Sequence, residues 1–585
     1  MIKVSDYIAK YLSARGVKDI FMISGGGAMH LNDSFGNSKL KYYCAHNEQA
    51  LAIEAEGYAR LNQDLAAVCV TTGPGGLNCL NGLFGQWTDS VPVIYFSGQV
   101  KFSTCKASCP DIPLRQLGDQ EADIIAAVKP FTKYAVSITK AEEIKFHLEK
   151  ALYLAKNGRP GPVWLDVPIN IQAAFIDEKK LKGFKIPAKT KYNFKTEQVI
   201  KALKKAKAPL IVAGHGIRLA SAQNEFKKLA GQFNIPIVTT FNGFDLIAED
   251  NPLFAGRIGT VGQRAGNFAL QNADCVLFLG TRNNIRQASY NWENFAKKAV
   301  KIIVDIDEAE LKKPTVKPDI AVKADIKDFI KALLPKAKDL KAEKWLNWCR
   351  ARVKKYTPLS EFKNLKQKLN PYECVRLITQ CSGLTTTVAS NATACLALYQ
   401  AGASKEGKRM FLNSGDASMG YGLPAAIGAC IAGGEKETIC LEGDGSIMMN
   451  LQELQTVKTY NLPIKIFLFN NDGYISIKQT QRNFFGRYTA CGQESGVKMP
   501  DFIKLAQAFG LKAVQISSPN NLKKQIEKVL SLKGPVLCEI VLKDDYIFTP
   551  KLSSKKLPDG SMLSPTLEDM FPFLPKEEME ENIYK

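Results

Sequence analysis

The sequence predicts an α/β protein made of three doubly wound parallel-sheet domains. Short β-rich apolar runs alternate with segments of helical periodicity from end to end, which is typical of parallel sheets flanked by helices. The 585 residues are too many for one ordinary core and correspond to about three or four packed units. Lysine-rich stretches near residues 178–198 and 335–368 divide the apolar runs into three groups. We therefore expect three domains.

Each group contains four predicted buried strands, bounded by glycine or proline. The first group comprises Asp19 to Ser24, Ala66 to Thr71, Val91 to Ser97 and Pro162 to Val167. The second comprises Pro209 to Ala213, Ile235 to Thr240, Asp274 to Leu279 and Lys301 to Asp305. The third comprises Arg409 to Asn413, Thr438 to Leu441, Ile464 to Phe469 and Pro535 to Leu542. The predicted domains span residues 1–178, 198–335 and 368–560, and a tail at 561–585 either covers a cleft or is loose.

A short internal echo links the first and third groups. Gly161-Pro162-Val163-Trp164-Leu165-Asp166-Val167 closes the first, and Gly534-Pro535-Val536-Leu537-Cys538-Glu539-Ile540 closes the third. Self-similarity of this kind predicts that the two outer domains are copies of one fold, although so short an echo also arises by chance. If the copies are real, a site can form where two such domains face each other.

Composition excludes several classes of protein. With 45% hydrophobic and 23% charged residues, the chain has the balance of a globular protein and not of a disordered or fibrous one. It has no apolar stretch long enough for a membrane span and no hydrophobic segment of a secretory signal at its start. Its 14 cysteines are scattered without paired clusters, which favours reduced thiols and a cytoplasmic protein.

The net charge of +21 raises the question of an anionic partner. The lysines are dispersed and are concentrated only in the predicted connectors, without the aromatic residues that interleave with basic ones in a groove for nucleic-acid strands. We therefore expect solvated surface lysines, with neither nucleic acid nor a membrane as partner.

The most specific local pattern combines two strand ends in the third group. Gly443-Asp444-Gly445-Ser446 follows one predicted strand, and Asn470-Asn471 follows the next. Ligands of open parallel sheets bind at the carboxyl ends of strands, so these residues predict a site for an anion and a metal ion. Asp444 and Asn471 offer the oxygen ligands that Mg²⁺ prefers, and Gly445 and Ser446 can bring backbone amides to a diphosphate. The alternative is an ordinary tight turn at Gly-Asp-Gly.

The third group contains Gly443-Asp444-Gly445 followed, after 24 residues, by Asn470-Asn471. This pattern resembles the thiamine diphosphate motif of the pyruvate oxidase and acetolactate synthase superfamily. The resemblance covers nearly the whole chain. It implies pyrimidine-binding, central and diphosphate-binding domains in that order, matching the three groups. Four further runs look like family motifs: His46-Asn47-Glu48-Gln49-Ala50, Thr72-Gly73-Pro74-Gly75, Gln120-Glu121-Ala122-Asp123-Ile124 and Gly420-Tyr421-Gly422-Leu423-Pro424-Ala425-Ala426-Ile427-Gly428.

The resemblance implies roles for individual residues. In the implied mechanism, the carboxyl of Glu48 activates the cofactor by hydrogen bonding to its pyrimidine ring. We expect Glu48 to be buried among apolar neighbours, which favours the protonated form of its carboxyl. The alternative is an ordinary helix glutamate at the surface. Met419 props the cofactor into its bent shape, and the carbonyl of Ala417 accepts from its amino group. Gln120 faces the substrate. Asn391 contacts the diphosphate, although its surroundings depart from the form usual in acetolactate synthases.

The remaining implied ligands lie in the third domain. The cofactor-binding residues there also include Gly443, Asp444, Gly445, Ser446, Asn471, Gly473 and Tyr474. Of these, Asp444, Asn471 and Gly473 are the implied ligands of Mg²⁺.

The implied activity is a thiamine diphosphate-dependent carboligase that decarboxylates a 2-keto acid, pyruvate, and transfers the two-carbon unit to an acceptor carbonyl. The family implies a homodimer or homotetramer with active sites at the subunit interface. Ser108-Cys109-Pro110 replaces the histidine pair of pyruvate decarboxylases, which favours a ligase over a simple decarboxylase. Thr480 replaces a tryptophan common in acetolactate synthases, which suggests a wider pocket. A nucleotide-linked keto-sugar acceptor, contacted by Arg115 and Lys478, is therefore an alternative.

The ligand of the central domain and the function class of the whole chain each admit a second interpretation. Gly280-Thr281-Arg282 and Asp305-Ile306-Asp307 resemble the positions at which acetolactate synthases hold flavin adenine dinucleotide (FAD), but a vestigial sheet that binds nothing remains open. Gly25-Gly26-Gly27 after a strand suggests a nicotinamide oxidoreductase, yet no Gly-x-Gly-x-x-Gly follows. A non-catalytic homologue is disfavoured by the joint presence of Glu48, Asp444 and Asn471.

Overall fold

The computed structural model describes residues 1–362, 368–542, 546–556 and 558–585. These residues form three six-stranded parallel sheets flanked by helices, together with two small antiparallel pairs. The predicted α/β class and its three sheets are confirmed. Within the described ranges, no helix is both long enough and apolar enough to cross a bilayer.

The first domain surrounds a sheet whose central strands are completely buried. Across this sheet the strands are Lys41–Cys44, Asp19–Met22, Ala66–Val70, Val93–Gln99, Val163–Pro168 and Tyr134–Ser137. The helices are Val4–Ala14, Met29–Gly36, Glu48–Asn62, Pro74–Asn78, Leu80–Asp89, Ile124–Val128, Ile144–Lys156 and Ile169–Ala173. The short pair Ile2–Lys3 and Phe175–Ile176 closes the domain by joining its two ends.

The central domain has the strand order 3-2-1-4-5-6, which is the order of dinucleotide-binding folds. Across its sheet the strands are Phe254–Arg257, Ile237–Thr239, Pro209–Ala213, Cys275–Leu279, Val300–Asp305 and Ile320–Lys323. The helices are Thr196–Lys205, Gly216–Leu219, Gln223–Phe233, Arg264–Asn272, Ile285–Ala288, Glu308–Lys312 and Ile326–Leu333.

The stretch 335–368, which the sequence suggests is a connector, contains the helix Glu343–Lys355. Trp345, Leu346 and Cys349 are buried on one side of this helix and join the core of the central domain. Its other residues are mostly charged or polar, and for that reason the sequence of the segment resembles that of a linker.

The third domain repeats the architecture of the first. Across its sheet the strands are Met410–Leu412, Thr386–Ala389, Thr438–Gly443, Ile464–Asn470, Val536–Val541 and Lys512–Ile516. The helices are Pro371–Cys381, Ala392–Ala401, Gly422–Ala432, Asp444–Ile447, Glu453–Thr459, Ile475–Phe485, Phe502–Ala508 and Leu522–Ser531.

The two outer sheets share the strand order 2-1-3-4-6-5. The echo motifs lie on Val163–Pro168 and Val536–Val541, which occupy the same position in both sheets. The acidic residue of each motif also makes the same kind of contact, because it accepts hydrogen bonds from side chains on the two flanking strands. Asp166 accepts hydrogen bonds from side chains on both flanking strands, and Glu539 does so through the amides of Asn470 and Gln515, at 2.7 and 2.8 Å. The echo thus extends from sequence to topology and to side-chain contacts.

One close helix pair joins the outer domains. Helix Glu48–Asn62 packs against helix Gly422–Ala432, and glycines allow their backbones to touch. A Cβ atom at Gly57 would lie 2.1 Å from the carbonyl oxygen of Ala425, and one at Gly428 would lie 1.8 Å from the carbonyl oxygen of Glu54. Larger residues at these two positions would force the domains apart.

The C-terminal tail packs on the central domain. Leu567 and Met570 are buried, and Arg264 donates a 3.1 Å hydrogen bond to the carbonyl of Met570. The tail helix Lys576–Glu581 follows, and the ring of Tyr584 lies 4.8 Å from that of Trp345. The sequence left open whether residues 561–585 cover a cleft or are loose. Because these described residues pack on the central domain, the loose tail is wrong.

We expect Asp166 to make stability depend on pH. Burial raises the pKa of its carboxyl to about 7, although hydroxyl donors on Ser97 and Ser137 act in the opposite direction. An unfolded aspartate titrates near ~3.9, so the stabilising contribution is complete below about pH 4 and is lost as the pH rises through about 7. The asparagine of Asp166→Asn does not titrate, so the free energy of unfolding of this variant should fall less as the pH rises, by on the order of 1–4 kcal/mol. Thermal unfolding of the wild-type protein and of Asp166→Asn between pH 5 and 7.5 measures this difference. The same dependence of stability on pH in the two proteins would refute the expectation.

Candidate cofactor and metal site

Two neighbouring strands of the third sheet bring Asp444 and Asn471 together. Thr438–Gly443 and Ile464–Asn470 pair in parallel, so the residues that follow them meet at one edge of the sheet. Backbone N–H groups of Asn471 and Gly473 donate to one Asp444 carboxylate oxygen at 3.0 and 2.9 Å, and that of Gly445 donates to the other at 2.7 Å. The spacing of the two motifs therefore produces the contact expected from the sequence.

The side-chain amide of Asn471 lies between the other two implied metal ligands. Its Nδ2 is 3.2 and 3.3 Å from the Asp444 carboxylate oxygens and 2.7 Å from the carbonyl oxygen of Gly473. The two orientations of an asparagine amide have nearly the same shape. Turned by half a rotation, Asn471 would present an oxygen where its nitrogen now lies. A carboxylate, an amide and a backbone carbonyl would then offer the oxygen ligands that Mg²⁺ requires.

The charge of Asp444 fits the same ion. Burial raises the pKa of its carboxyl to about 6, even though three backbone N–H groups favour the ionised form. In the part of the chain that the structure describes, Asp444 makes no ion pair with lysine, arginine or histidine. A buried carboxylate needs a positive partner, so a divalent cation suits this position.

Asn391, Ala417 and Met419 line the same end of the sheet. The amide of Asn391 donates to the carbonyl of Ala417 at 3.2 Å, which brings these two residues together. Ala417 has a φ of 57°, a left-handed conformation that is uncommon for alanine and concentrates at functional sites. The Met419 methyl lies 3.6 Å from the point where a Cβ atom at Gly445 would stand.

Gly445, Gly473 and Tyr474 are tightly packed next to Asp444 and Asn471. A Cβ atom at Gly445 would lie 2.3 Å from the Tyr474 ring, and Gly473 has a φ of 122° with the carbonyl of Cys491 close by. The side chain of Ser446 is held in place by Ser390, because the two hydroxyl oxygens are hydrogen-bonded at 2.6 Å. All the cofactor residues expected in the third domain therefore gather at one edge of its sheet.

The residues expected in the first domain form a second cluster. Glu48 accepts from the amide of Asn78 at 3.0 Å, and the carbonyl of Gln120 packs against Gly73. Glu48 is half-buried and not buried as expected, because it is the first residue of helix Glu48–Asn62 and its side chain reaches Asn78 beyond the core. Gln120 is exposed.

The two clusters are separate within one chain. Among the residues that the structure describes, no hydrogen bond or ion pair joins Glu48 or Gln120 to Asp444, Asn471 or Met419. The loop carrying Met419 does touch the first domain, where the Ser418 hydroxyl donates to Asn81 at 2.6 Å. Each chain therefore carries two clusters of sequence-predicted residues, one in the first domain and one in the third.

Three further residues named by the sequence take varied positions. Lys478 is buried and donates to the carbonyl of Asp472 at 2.9 Å, whereas Arg115 and Thr480 are exposed. Two of the three glycines that suggested a nicotinamide site, Gly25 and Gly27, are closely packed against the side chains of Thr71 and Thr72. A Cβ atom at Gly25 would lie 2.5 Å from the Thr71 side chain.

Sequence reasoning missed three residues that contact this third-domain cluster. Ser390 supports Ser446, while Thr393 and Tyr546 contact the amide of Asn471. Ser390 and Thr393 flank Asn391 and could have been noticed there. Tyr546 belongs to no motif and reaches the site only through tertiary folding.

A cleft of about 490 Å³ opens at the carboxyl ends of the central strands. Gly280, Thr281, Arg282 and Asp305, which the sequence relates to a flavin site, all line it. Burial raises the pKa of Asp305 to about 6. Polar atoms that lack a hydrogen-bond partner in the described chain also line the cleft, namely the amide oxygen of Asn242 and Nδ1 of His215.

A buried ionic network connects this cleft with the loop that carries Ala417. Arg60 pairs with Glu56 at 2.9 Å and with Asp89. Asp89 also accepts from the backbone N–H of Gly415 at 3.3 Å and lies 3.7 Å from Arg282 of the cleft. Burial would raise the pKa of Asp89, but the two guanidinium groups hold it below its usual value. All three domains meet at this carboxylate.

The chain matches three domain families in order. Residues 2–126 match the thiamine pyrophosphate enzyme N-terminal TPP binding domain. Residues 196–333 match the central domain of these enzymes, and residues 392–540 match their C-terminal TPP binding domain.

Similar proteins extend along nearly the whole chain. A probable acetolactate synthase large subunit of Methanocaldococcus jannaschii is 33% identical over 564 residues, which cover 92% of each protein. Acetolactate synthase large subunits of Cyanidium caldarium and Lactococcus lactis are 32% and 30% identical. They cover 90% and 92% of this chain and 91% and 92% of their own lengths.

The tight packing at Gly445 gives a steric prediction. Gly445→Ala places a methyl group against the Tyr474 ring and should weaken thiamine diphosphate binding about 10- to 100-fold, since overpacking costs roughly 1–3 kcal/mol. Gly231→Ala, at an exposed position of helix Gln223–Phe233 in the central domain, is the control, because its added Cβ has no atom of the described chain outside its own helix within 4 Å. Titration calorimetry compares the two. Equal affinities would contradict the packing described here.

Proposed function

This chain belongs to the thiamine pyrophosphate enzymes, in the family of the acetolactate synthase large subunits, and on that premise we propose that it is a thiamine diphosphate-dependent carboligase. It decarboxylates pyruvate and transfers the two-carbon unit to an acceptor carbonyl. The arrangement of Asp444, Asn471 and Gly473 carries this proposal. It places the carbonyl oxygen of Gly473 and an amide that can turn its oxygen inwards beside the buried carboxylate of Asp444, which no cationic side chain of the described residues neutralises. When bound, thiamine diphosphate supplies the electron sink of the reaction.

The third-domain residues hold and orient the cofactor. Asp444, Asn471 and the carbonyl of Gly473 would hold Mg²⁺, an ion that favours oxygen ligands and would supply positive charge next to the diphosphate. The Ala417 carbonyl would accept from the cofactor's amino group, replacing its present donor, Asn391. Met419 supplies an apolar support beside Gly445.

Glu48 would complete the site from another chain. We propose a homodimer or homotetramer in which the Glu48 cluster of one chain faces the Asp444 cluster of a second, where its carboxyl hydrogen-bonds to the pyrimidine ring. The half-buried state of Glu48 supports this arrangement. Exposed apolar side chains on neighbouring helices, Leu77, Phe84 and Trp87, also suit a covered surface. The relatives named large subunits point to subunit assembly as well.

We propose that the central cleft binds FAD. The strand order 3-2-1-4-5-6, Arg282 at a strand end and Asp305 at the next strand end support a dinucleotide there. The unpartnered atoms of Asn242 and His215 give further hydrogen-bonding capacity. The visible absorbance of the purified protein tests this. A flavin spectrum that Arg282→Ala reduces would support the proposal, and its absence after incubation with FAD would leave the vestigial sheet as the answer.

The cytoplasm is the compartment that we propose. All 14 cysteines are free thiols, and most of them are buried, which supports a reducing environment.

The acceptor can be identified directly. Protein with thiamine diphosphate, Mg²⁺ and labelled pyruvate should form acetolactate, detected by mass spectrometry. Candidate nucleotide-linked keto-sugars are added in parallel. Rapid acetolactate formation without sugar would support pyruvate as the acceptor. A branched product formed only with the sugar would favour the keto-sugar acceptor, and no product with either would contradict carboligation.

We expect Glu48→Gln to separate binding from turnover. The glutamine cannot supply the carboxyl proton, so kcat should fall about 10²- to 10⁴-fold while thiamine diphosphate still binds. Glu142→Gln, at an exposed glutamate of the same domain, is the control and should keep full turnover. Unchanged turnover in Glu48→Gln would remove this residue from the mechanism.

Mixing two inactive variants tests the shared site. When Glu48→Gln and Asp444→Asn chains are dissociated and reassembled at random, half of the dimers are hybrids, each with one intact site. About a quarter of the wild-type activity should return. No recovery from demonstrably hybrid dimers would place each active site within a single chain.

A further inference from the structure

We propose that Tyr546 and Thr393 are positioning residues for the metal site, acting through the side-chain amide of Asn471. Their two hydroxyl groups form a buried pair behind the amide, on the side away from Asp444. This inference rests on the proposed function, because it concerns how the chain prepares Asn471 to bind Mg²⁺.

The contacts define the pair. The Tyr546 hydroxyl donates to Oδ1 of Asn471 at 2.8 Å, and the Thr393 hydroxyl lies 3.4 Å from the same oxygen. The two hydroxyl oxygens are 2.6 Å apart. All three side chains are at least 94% buried, so bulk water cannot readily replace a missing partner.

Hydroxyl groups suit this position because they both donate and accept hydrogen bonds. In the present orientation, Nδ2 of Asn471 faces Asp444 and Gly473, and its oxygen accepts from Tyr546. Binding a metal ion requires the oxygen to face those ligands, which turns Nδ2 towards the hydroxyl pair. The pair can then accept from Nδ2. The same two residues therefore satisfy the amide in both orientations.

Packing alone does not require the Tyr546 hydroxyl. The ring lies in the apolar core of the third domain, 5.7 Å from the ring of Phe548, and a phenylalanine would fill the same space. Gln479 holds the backbone by donating to the Tyr546 carbonyl at 2.9 Å. The hydroxyl is the part of the side chain that points to Asn471, and its loss would leave a buried N–H without a partner in the metal-binding orientation.

The test measures metal affinity directly. Mn²⁺ replaces Mg²⁺ as a paramagnetic probe, and free Mn²⁺ is titrated by electron paramagnetic resonance at saturating thiamine diphosphate. Tyr546→Phe and Thr393→Val should each weaken Mn²⁺ binding, with Tyr546→Phe losing about 10- to 100-fold, as is usual when the support of a metal ligand is removed. Excess metal should restore much of the lost activity.

Tyr372→Phe is the matched control. Tyr372 is buried in the same core, and its hydroxyl accepts from the backbone N–H of Thr549 without contacting Asn471. Like Tyr546→Phe, the Tyr372→Phe variant loses one hydroxyl hydrogen bond, in this case to the segment that carries Tyr546. It should nevertheless bind Mn²⁺ with the affinity of the wild-type protein. Thermal unfolding of all variants shows whether each remains folded.

The outcomes separate this inference from the proposed function. Wild-type affinity in both Tyr546→Phe and Thr393→Val would overturn the positioning role and leave the carboligase proposal standing. Equal weakening in Tyr372→Phe would also overturn it, because general docking of the segment would then explain the effect. Failure of the wild-type protein itself to bind Mn²⁺ with thiamine diphosphate would overturn both.

Discussion

The Asp444 carboxylate is buried at the end of its strand, where it accepts hydrogen bonds from backbone N–H groups and from the amide of Asn471. Among the described residues it pairs with no lysine, arginine or histidine. A buried charge is costly without a partner, and the neighbouring groups are arranged so that a cation can supply one. Asn471 and Gly473 provide further oxygen atoms at the adjoining strand end. The parallel pairing of two strands thus brings together, from positions far apart in sequence, the residues that we propose as metal ligands.

The first and central domains extend this local arrangement into a larger assembly. The first and third domains share strand order and an equivalent acid on the sixth strand, so one architecture serves two roles, one presenting Glu48 and the other Asp444. The close contact at Gly57 and Gly428 holds them together within a chain. At Asp89 the central domain joins them, because this carboxylate contacts both Arg282 of the cleft and the loop before Ala417. Position in the fold therefore links the two proposed cofactor sites.

Much of the fold could be predicted because central parallel strands are buried on both faces and appear as continuous apolar runs. All twelve predicted strands are present. The strands that escaped prediction are mostly edge strands, such as Lys41–Cys44, Tyr134–Ser137 and Lys512–Ile516, whose partial exposure breaks the apolar run. In the site, the motif spacing predicted the contact of Asp444 with Asn471. Tyr546 could not be predicted, since no local pattern encodes a contact across 75 residues. The half-buried state of Glu48 could not be predicted either, because the apolar residues that follow it do not show that it lies at the exposed start of its helix.

The central claim is that a divalent cation joins the buried carboxylate of Asp444 to thiamine diphosphate. Isothermal titration calorimetry of thiamine diphosphate into metal-free protein, with and without Mg²⁺, tests it most directly. The account predicts saturable binding with Mg²⁺, a strong loss of affinity without it, and no metal dependence in Asp444→Asn. Absence of binding in the presence of Mg²⁺, or the same affinity with and without the ion, would contradict it.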